Sequence, residues 1–175
     1  NIDIITRSNS SPSGWSKNFI KRTLFKLLLR IPRLIIVNSI KFKLELKKTF
    51  GINSLCIYNP LDKSNVIKKS KEKVKISFFD KEKKCLKIIF VGRLVDQKDP
   101  MTFLKSLIVL KKKINFKSLI LGGGVLKKEM LTFIKNNNLS NYVKIIKFQS
   151  NPYKYISKSD LLVLTSKFEG LPNIL

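Results

Sequence analysis

The sequence has no histidine, only two cysteines and only 11 acidic residues among 175. Cys56 and Cys85 have neither a Cys-x-x-Cys pairing nor metal-ligand spacing, so a cysteine metal site is not indicated. We interpret both as structural residues of a reduced, cytoplasmic protein. No apolar run approaches the ~20 residues needed to cross a bilayer, and no signal peptide is visible. Because the chain does not begin with Met, we expect it to be a fragment.

Basic residues dominate the charge. Lysine and arginine number 36, which gives a net charge of +25. Such an excess can indicate a nucleic-acid or anionic-lipid partner. The lysines are spread over the whole chain, however, and no recognised nucleic-acid-binding module accompanies them. We attribute most of the charge to an AT-rich coding sequence. A non-catalytic basic protein that binds a membrane or nucleic acid remains the alternative function.

Strands and helices alternate regularly from Leu86 onward. This order predicts an α/β fold with a parallel sheet and right-handed crossovers, which is half of a doubly wound domain. The predicted strands are 86–91, 116–121, 143–147 and 160–164, and the predicted helices are 99–113, 126–137 and a short one at 152–157.

The first part of the chain shows a similar but looser pattern. We predict a strand at 2–5, a loop at 7–14 and a strand at 34–38. Ser39 is a candidate N-cap of a helix over 40–50 that closes at Gly51. The lysine-rich stretch 63–84 is predicted to be a linker with a short strand.

A basic amphipathic helix is predicted from Trp15 to Arg33, with Pro32 ending it. One reading is a helix that lies on an anionic membrane surface, and the other is a helix whose apolar face packs into a core. The sequence favours neither reading. The apolar residues at helical spacing are Ile20, Leu24, Leu27, Leu28 and Ile31, and the basic residues opposite are Arg22, Lys26, Arg30 and Arg33.

Two strand-to-helix corners carry candidate site residues. After the strand 86–91 come Gly92, Arg93 and Lys98, followed by Asp99 as a predicted N-cap and Pro100 as the first helical residue. After the strand 160–164 comes the stretch Ser166-Lys-Phe-Glu-Gly-Leu-Pro-Asn173. Ligands of open α/β sheets bind at this edge, and free N–H groups at a helix start favour an anion there.

Together these corners resemble the retaining glycosyltransferases of family four, also called glycosyltransferase group 1. The matching motifs are Gly92-Arg93-Leu94 with Lys98, and Ser166-x-x-Glu169-Gly170-x-Pro172-Asn173. The resemblance implies a two-domain GT-B fold of Rossmann-like domains. It divides the chain into the end of an acceptor-side domain (1–58), a linker and entry segment (59–85), and a truncated nucleotide-sugar or donor domain (86–175).

The resemblance also implies roles for particular residues. Arg93 and Lys98 are expected to stabilise the leaving diphosphate, and Glu169 to contact the sugar without acting as a covalent nucleophile. A second glutamate is expected eight residues after Glu169, as in the family's Glu-x₇-Glu motif. The expected nucleotide-sugar contacts are Gly92, Arg93, Lys98, Gly122, Gly124, Phe148, Glu169, Gly170, Leu171 and Asn173.

Three of these contacts have ordinary structural alternatives. Gly122 and Gly124 can serve a tight turn instead of a ligand, and we favour a core position for Phe148. The family usually has a glycine before the residue equivalent to Phe148, where this chain has Lys147, so base contacts are less expected at this corner.

The resemblance implies a transferase that moves a sugar from a nucleotide-diphosphate sugar to a glycan or lipid-linked acceptor with retention of configuration. No cofactor or metal is expected, because the sequence contains no Asp-x-Asp pair. Nucleic acid is not an expected partner. The enzyme is expected to be cytoplasmic, with residues 15–33 as a possible contact to the inner membrane face, and the fragment is expected to be inactive alone.

Overall fold

The structure is a computed structural model that describes residues 3–9, 18–80, 84–169, 171 and 174. The chain divides into two compact units, Asn1–Leu61 with Phe168–Leu175, and Asp62–Lys167. The boundaries of these units differ from those of the predicted domains. The domain division stays a prediction about the whole protein. Within the described residues, no helix is both long enough and apolar enough to cross a membrane.

The first unit contains a parallel sheet of three described strands in the order β1-β2-β3. Its core consists of buried side chains from β2 and α2. Ser39 caps α2 by accepting a hydrogen bond from the Phe42 amide (3.2 Å), and Gly51 ends the helix in a left-handed conformation. The elements are β1 Ile5–Ser8, α1 Phe19–Leu28, β2 Leu34–Val37, α2 Ile40–Phe50 and β3 Leu55–Cys56.

The second unit contains a parallel sheet of four described strands in the order β6-β5-β4-β7. Every residue of β5 is buried, as expected of a central strand with both faces covered. The elements are α3 Lys63–Ser70, α4 Ser77–Asp80, β4 Leu86–Val91, a 3₁₀ turn Asp96–Lys98, α5 Pro100–Lys111, β5 Phe116–Leu121, α6 Lys127–Asn136, β6 Val143–Ile146, α7 Tyr153–Ile156 and β7 Leu161–Leu162.

The predicted α/β fold with parallel sheets is confirmed, and β4, β5 and α2 have the predicted bounds. The other five predicted elements of the second unit are one to three residues shorter in total length, and only β6 keeps a predicted end, because it begins at Val143. The prediction for the first strand is wrong, because β1 spans Ile5–Ser8 and pairs with β2 where a loop was expected. Residues 10–17 of that loop and of the predicted helix start lie outside the described residues.

Helices replace part of the irregular structure predicted for 63–84, while the role of this stretch as a linker stays a prediction. Residues Lys63–Ser70 form α3, whose N-cap Asp62 accepts a hydrogen bond from the Asn65 amide at 2.9 Å. The helix is tied to the segment around α7, because Ser157 Oγ donates to the Ser70 carbonyl at 2.9 Å. The helix has too few apolar residues to show a helical periodicity, so its N-cap Asp62 is the only local sequence signal for it.

The predicted helix at 15–33 is shorter, with α1 spanning Phe19–Leu28. Phe25 and Leu29 pack against the core of the first unit. The residues of the predicted apolar face are exposed, as are the basic ones on the helix. Apolar residues occupy most of the circumference of this helix, so their spacing alone did not identify the packed face.

Candidate active site

The site of the second unit lies at the carboxyl edge of its sheet. The chain runs from β4 outward through β5 to β6 and then returns to β7 on the other side of β4. The strand order therefore reverses between β4 and β7. In open α/β sheets a ligand binds in the crevice outside the strand ends at such a reversal. The loop after β4 and the segment after β7 border this crevice.

The loop after β4 presents the two predicted cations. Arg93 is exposed, and its Nη2 donates to Gln97 Oε1 at 3.2 Å. Lys98 is half-buried, and its aliphatic stem crosses Gly92, since a Cβ placed on Gly92 would lie 3.8 Å from Lys98 Cγ and Cδ. An added Cβ would therefore make ordinary van der Waals contact with that stem. The loop thus brings a planar guanidinium and a point-charged ammonium to the same corner.

Asp99 begins α5 as predicted, and its backbone is unusual. Its φ of 45° is left-handed, which few residues other than glycine adopt. Its carboxylate accepts from the Thr102 amide at 3.2 Å and from Thr102 Oγ1 at 2.8 Å. Because Pro100 has no N–H and Asp99 supplies a negative charge, the start of α5 offers little to an anion by itself. Arg93 and Lys98 carry the positive charge at this corner.

The glycines after β5 are required by close backbone packing. A Cβ on Gly122 would lie 1.9 Å from the Gly92 carbonyl oxygen, and one on Gly124 would lie 2.3 Å from the Leu94 carbonyl oxygen. The same loops exchange hydrogen bonds, from the Leu94 amide to the Gly123 carbonyl (2.9 Å) and from the Leu126 amide to the Leu94 carbonyl (3.1 Å). The loop of Arg93 is therefore supported from the β5 side, and ligand contact by these glycines stays a prediction.

The segment after β7 supports the same loop from the other side. Thr165 Oγ1 donates to the Asp99 carbonyl at 2.8 Å and also lies 3.2 Å from the Lys98 carbonyl. The Lys167 amide donates to the Gln97 carbonyl at 2.9 Å. The Lys167 ammonium pairs with Asp96, and this hydrogen bond raises the pKa of Lys167. No local sequence pattern predicts these contacts, because Thr165 and Asp99 are 66 residues apart.

Phe148 follows β6 at the same edge and is 78% exposed. The favoured core position for Phe148 is therefore wrong. The strand ends at Ile146, so Phe148 lies beyond the alternation that would have turned it inward. Its exposed ring is free to meet a ligand, and whether it does so stays a prediction.

Glu169 and Leu171 lie in the stretch Phe168–Leu175, which groups with the first unit. Glu169 is half-buried, and Leu171 is 39% exposed. The Leu171 carbonyl accepts a hydrogen bond from Asn59 Nδ2 at 3.5 Å. Gly170 and Asn173 lie outside the described residues. The resemblance alone relates these residues to Arg93 and Lys98.

Solved structures with the same architecture are glycosyltransferases of GT-B type. The chain superposes on TarM of Staphylococcus aureus with a TM-score of 0.71 at 18% identity, covering 97% of this chain and 33% of that one. It superposes on Anabaena Alr3699/HepE, solved in complex with UDP-glucose, with a TM-score of 0.71 at 19% identity, covering 94% and 47%. These likenesses show a GT-B fold.

The family follows from the sequence comparison. Residues 69–175 match the family described as "Glycosyl transferases group 1", and the chain belongs to that family. A Campylobacter jejuni relative is 34% identical over 161 residues, which is 90% of this chain but 42% of the relative. It is named N-acetylgalactosamine-N,N'-diacetylbacillosaminyl-diphospho-undecaprenol 4-alpha-N-acetylgalactosaminyltransferase. The chain therefore spans less than half the length of that relative.

Proposed function

We propose that the protein to which this chain belongs transfers a sugar from a nucleotide-diphosphate sugar to a glycan or lipid-linked glycan, with retention of configuration. The observation that carries the proposal is the pair of cations, Arg93 and Lys98, at the strand-order reversal between β4 and β7. This is where an α/β sheet of this kind binds a nucleotide. Membership of the family supports the same reaction class.

The chemistry requires positive charge at the leaving group. Breaking the bond between the sugar and the diphosphate leaves additional negative charge on the diphosphate oxygens, and fixed cations stabilise that charge in the transition state. The Arg93 guanidinium can bind two oxygens with parallel N–H groups, while Lys98 supplies a mobile point charge. Gln97 holds the guanidinium in place before the substrate arrives, which lowers the entropic cost of binding.

The nucleotide is proposed to extend from this corner toward the ends of β5 and β6. The exposed Phe148 ring offers an apolar surface against which a flat base can pack. Glu169 is proposed to contact sugar hydroxyls, with Gly170, Leu171 and Asn173 beside it. The donor phosphate, in this scheme, helps to deprotonate the acceptor hydroxyl, so that no covalent glycosyl-enzyme is needed.

A lipid-linked acceptor places the reaction at a membrane surface, on the cytoplasmic side. The name of the C. jejuni relative describes a diphospho-undecaprenol substrate for that protein. In this chain, α1 has an exposed row of apolar residues together with exposed basic ones. That combination suits an interfacial helix on anionic lipid. We propose that α1 is the membrane contact of the complete protein.

Calorimetric titration of the full-length protein with UDP, GDP and ADP tests the nucleotide site. We expect one of the three to bind, and Lys98→Gln to weaken it at least tenfold. Lys112→Gln is the matched control, because it removes an exposed lysine from the opposite end of α5. The absence of binding to any of the three would overturn the proposal. The anomeric configuration of the product, read by proton NMR, tests retention.

A further inference from the structure

We propose that Thr165 is a positioning residue that holds Lys98 in the orientation needed to bind the diphosphate, an inference that rests on the proposed function. Thr165 lies three residues after the end of β7, on the segment that faces the loop after β4 across the strand-order reversal. It does not contact the nucleotide in this proposal. Its effect passes through the backbone of Lys98 and Asp99.

The contacts of Thr165 meet the loop at its most constrained point. Its hydroxyl donates to the Asp99 carbonyl (2.8 Å) and is 3.2 Å from the Lys98 carbonyl. Asp99 has the left-handed φ of 45°, a conformation that costs an aspartate free energy and persists only where neighbouring contacts hold it. Thr165 supplies one such contact, and the Asp99–Thr102 cap supplies another.

The backbone at Asp99 determines the direction of the Lys98 side chain. Lys98 is the last residue of the 3₁₀ turn, and Asp99 is the reversal between that turn and α5. If Asp99 relaxed to a right-handed conformation, the carbonyl and side chain of Lys98 would rotate away from their present directions. The stem of Lys98 would then leave Gly92, over which it now lies at 3.8 Å from the position of an added Cβ.

Lys167, on the same segment, holds the 3₁₀ turn, whereas Thr165 holds the Asp99 end of the loop. Lys167 contacts the 3₁₀ turn through its amide, which donates to the Gln97 carbonyl, and through its pairing with Asp96. Removing the Thr165 hydroxyl therefore loosens the Asp99 end alone, where the contacts to Thr102 remain. This separation allows a variant of Thr165 to alter Lys98 while the rest of the loop stays attached.

The test uses Thr165→Val in the full-length protein, because valine matches the shape of threonine and lacks the hydroxyl. We expect the affinity for UDP, the probe, to fall about tenfold, since small misplacements of positioned groups reduce binding and rate strongly. Thr165→Ser restores the donor and should recover most of the affinity. Thr132→Val, on the exposed surface of α6, controls for the substitution itself.

A double-mutant cycle with Lys98→Ala identifies the route of the effect. If Thr165 acts through Lys98, the double variant binds UDP no more weakly than Lys98→Ala alone, because coupled residues are not additive. Additive losses, or an unchanged affinity in Thr165→Val, would overturn the inference. If Lys98→Ala itself leaves UDP affinity unchanged, the proposed phosphate role of Lys98 has failed, which is a different result. Thermal unfolding of each variant separates lost affinity from lost folding.

Discussion

The Cα of Gly122 lies so close to the Gly92 carbonyl that an added Cβ would be 1.9 Å from that oxygen. Both glycines directly follow central strands, β5 and β4, so this approach closes the carboxyl edge of the sheet. The contact is with backbone atoms, which cannot turn aside as the end of a long side chain can. The packing of the two loops is therefore a condition for the position of Arg93, which follows Gly92.

We predict that Gly122→Ala destabilises the protein by about 3 kcal/mol, in the upper range for overpacking, because either loop must move to admit the methyl group. Gly123→Ala is the matched control, since a Cβ at Gly123 would meet nothing within 4 Å. Urea unfolding of the two variants measures the difference. Equal stability of the two would show that the loops separate more easily than this packing implies.

The regular α/β core could be predicted from the sequence because buried strands and helices have a simple pattern of apolar residues. The strands β4 and β5 are short, largely apolar segments that each end at a glycine, and α2 begins at a serine cap and ends at a glycine with φ of 71°. Each of these signals is local. The cations of the site were likewise found because they lie directly after a strand.

Other features could not be predicted, for physical reasons that differ. The helix α3 has too few apolar residues to show a helical periodicity. The position of Phe148 could not be predicted because β6 ends two residues before it. The support of Lys98 by Thr165 is a tertiary hydrogen bond, and no local pattern encodes it. The left-handed φ of Asp99 could not be predicted either, because a capping role alone does not determine φ.

Removal of either cation should reduce catalysis. In the full-length protein we predict that Arg93→Ala and Lys98→Ala each lower kcat/KM by on the order of 10²-fold, the usual effect of losing one charge stabiliser of a transition state. Steady-state kinetics with the nucleotide sugar that the binding screen identifies measures the change. Near-native turnover by the double variant would refute the assignment of both residues.

Gln97 gives a finer test of the same corner. Its side chain accepts from Arg93 Nη2, while its backbone carbonyl accepts from the Lys167 amide, and only the first contact depends on the side-chain amide. We predict that Gln97→Leu lowers kcat/KM about tenfold through loss of Arg93 positioning, as the loss of one hydrogen bond from a charged donor would allow. In an Arg93→Ala background the same change should have no effect. A full additional loss there would assign Gln97 another role.

Chelation should leave activity largely intact. The sequence contains no Asp-x-Asp pair to hold a divalent ion at the diphosphate, and Arg93 and Lys98 can neutralise that charge themselves. Activity measured in excess EDTA, with and without added Mg²⁺ or Mn²⁺, checks this expectation. Complete loss in EDTA that either ion restores would contradict it.

The last prediction concerns the exposed face of α1. Its apolar residues remain in solvent although the helix is anchored to its unit by Phe25 and Leu29. An arrangement of apolar and basic side chains on one surface helix suits the interface of an anionic membrane. The exposed apolar residues and their exposed fractions are Phe19 83%, Ile20 77%, Leu24 54%, Leu27 60%, Leu28 47% and Ile31 63%.

Charge attraction to the lipid and burial of apolar side chains should both contribute to membrane binding, and mutations can separate them. Each basic residue near an anionic surface contributes about 1 kcal/mol, so replacing Arg22, Lys26 and Arg30 by Gln should weaken vesicle binding by about 10²-fold. The loss should be greatest at low salt, where screening is weakest. Ile20→Ser with Leu27→Ser should weaken binding at all salt concentrations, because it removes apolar area instead of charge.

Cosedimentation of the full-length protein with phosphatidylglycerol vesicles, compared with phosphatidylcholine vesicles, measures these effects. The matched control replaces Lys41, Lys43 and Lys47 by Gln, which removes the same charge from the exposed surface of the neighbouring helix α2. We expect this control to retain most of the binding, because α2 exposes only two large apolar residues, Ile40 and Leu44, where α1 and its C-terminal end expose six. If binding is insensitive to salt and to both the basic-to-Gln and the apolar-to-Ser substitutions, the apolar row packs inside the complete protein. The lipid contact would then have to lie elsewhere.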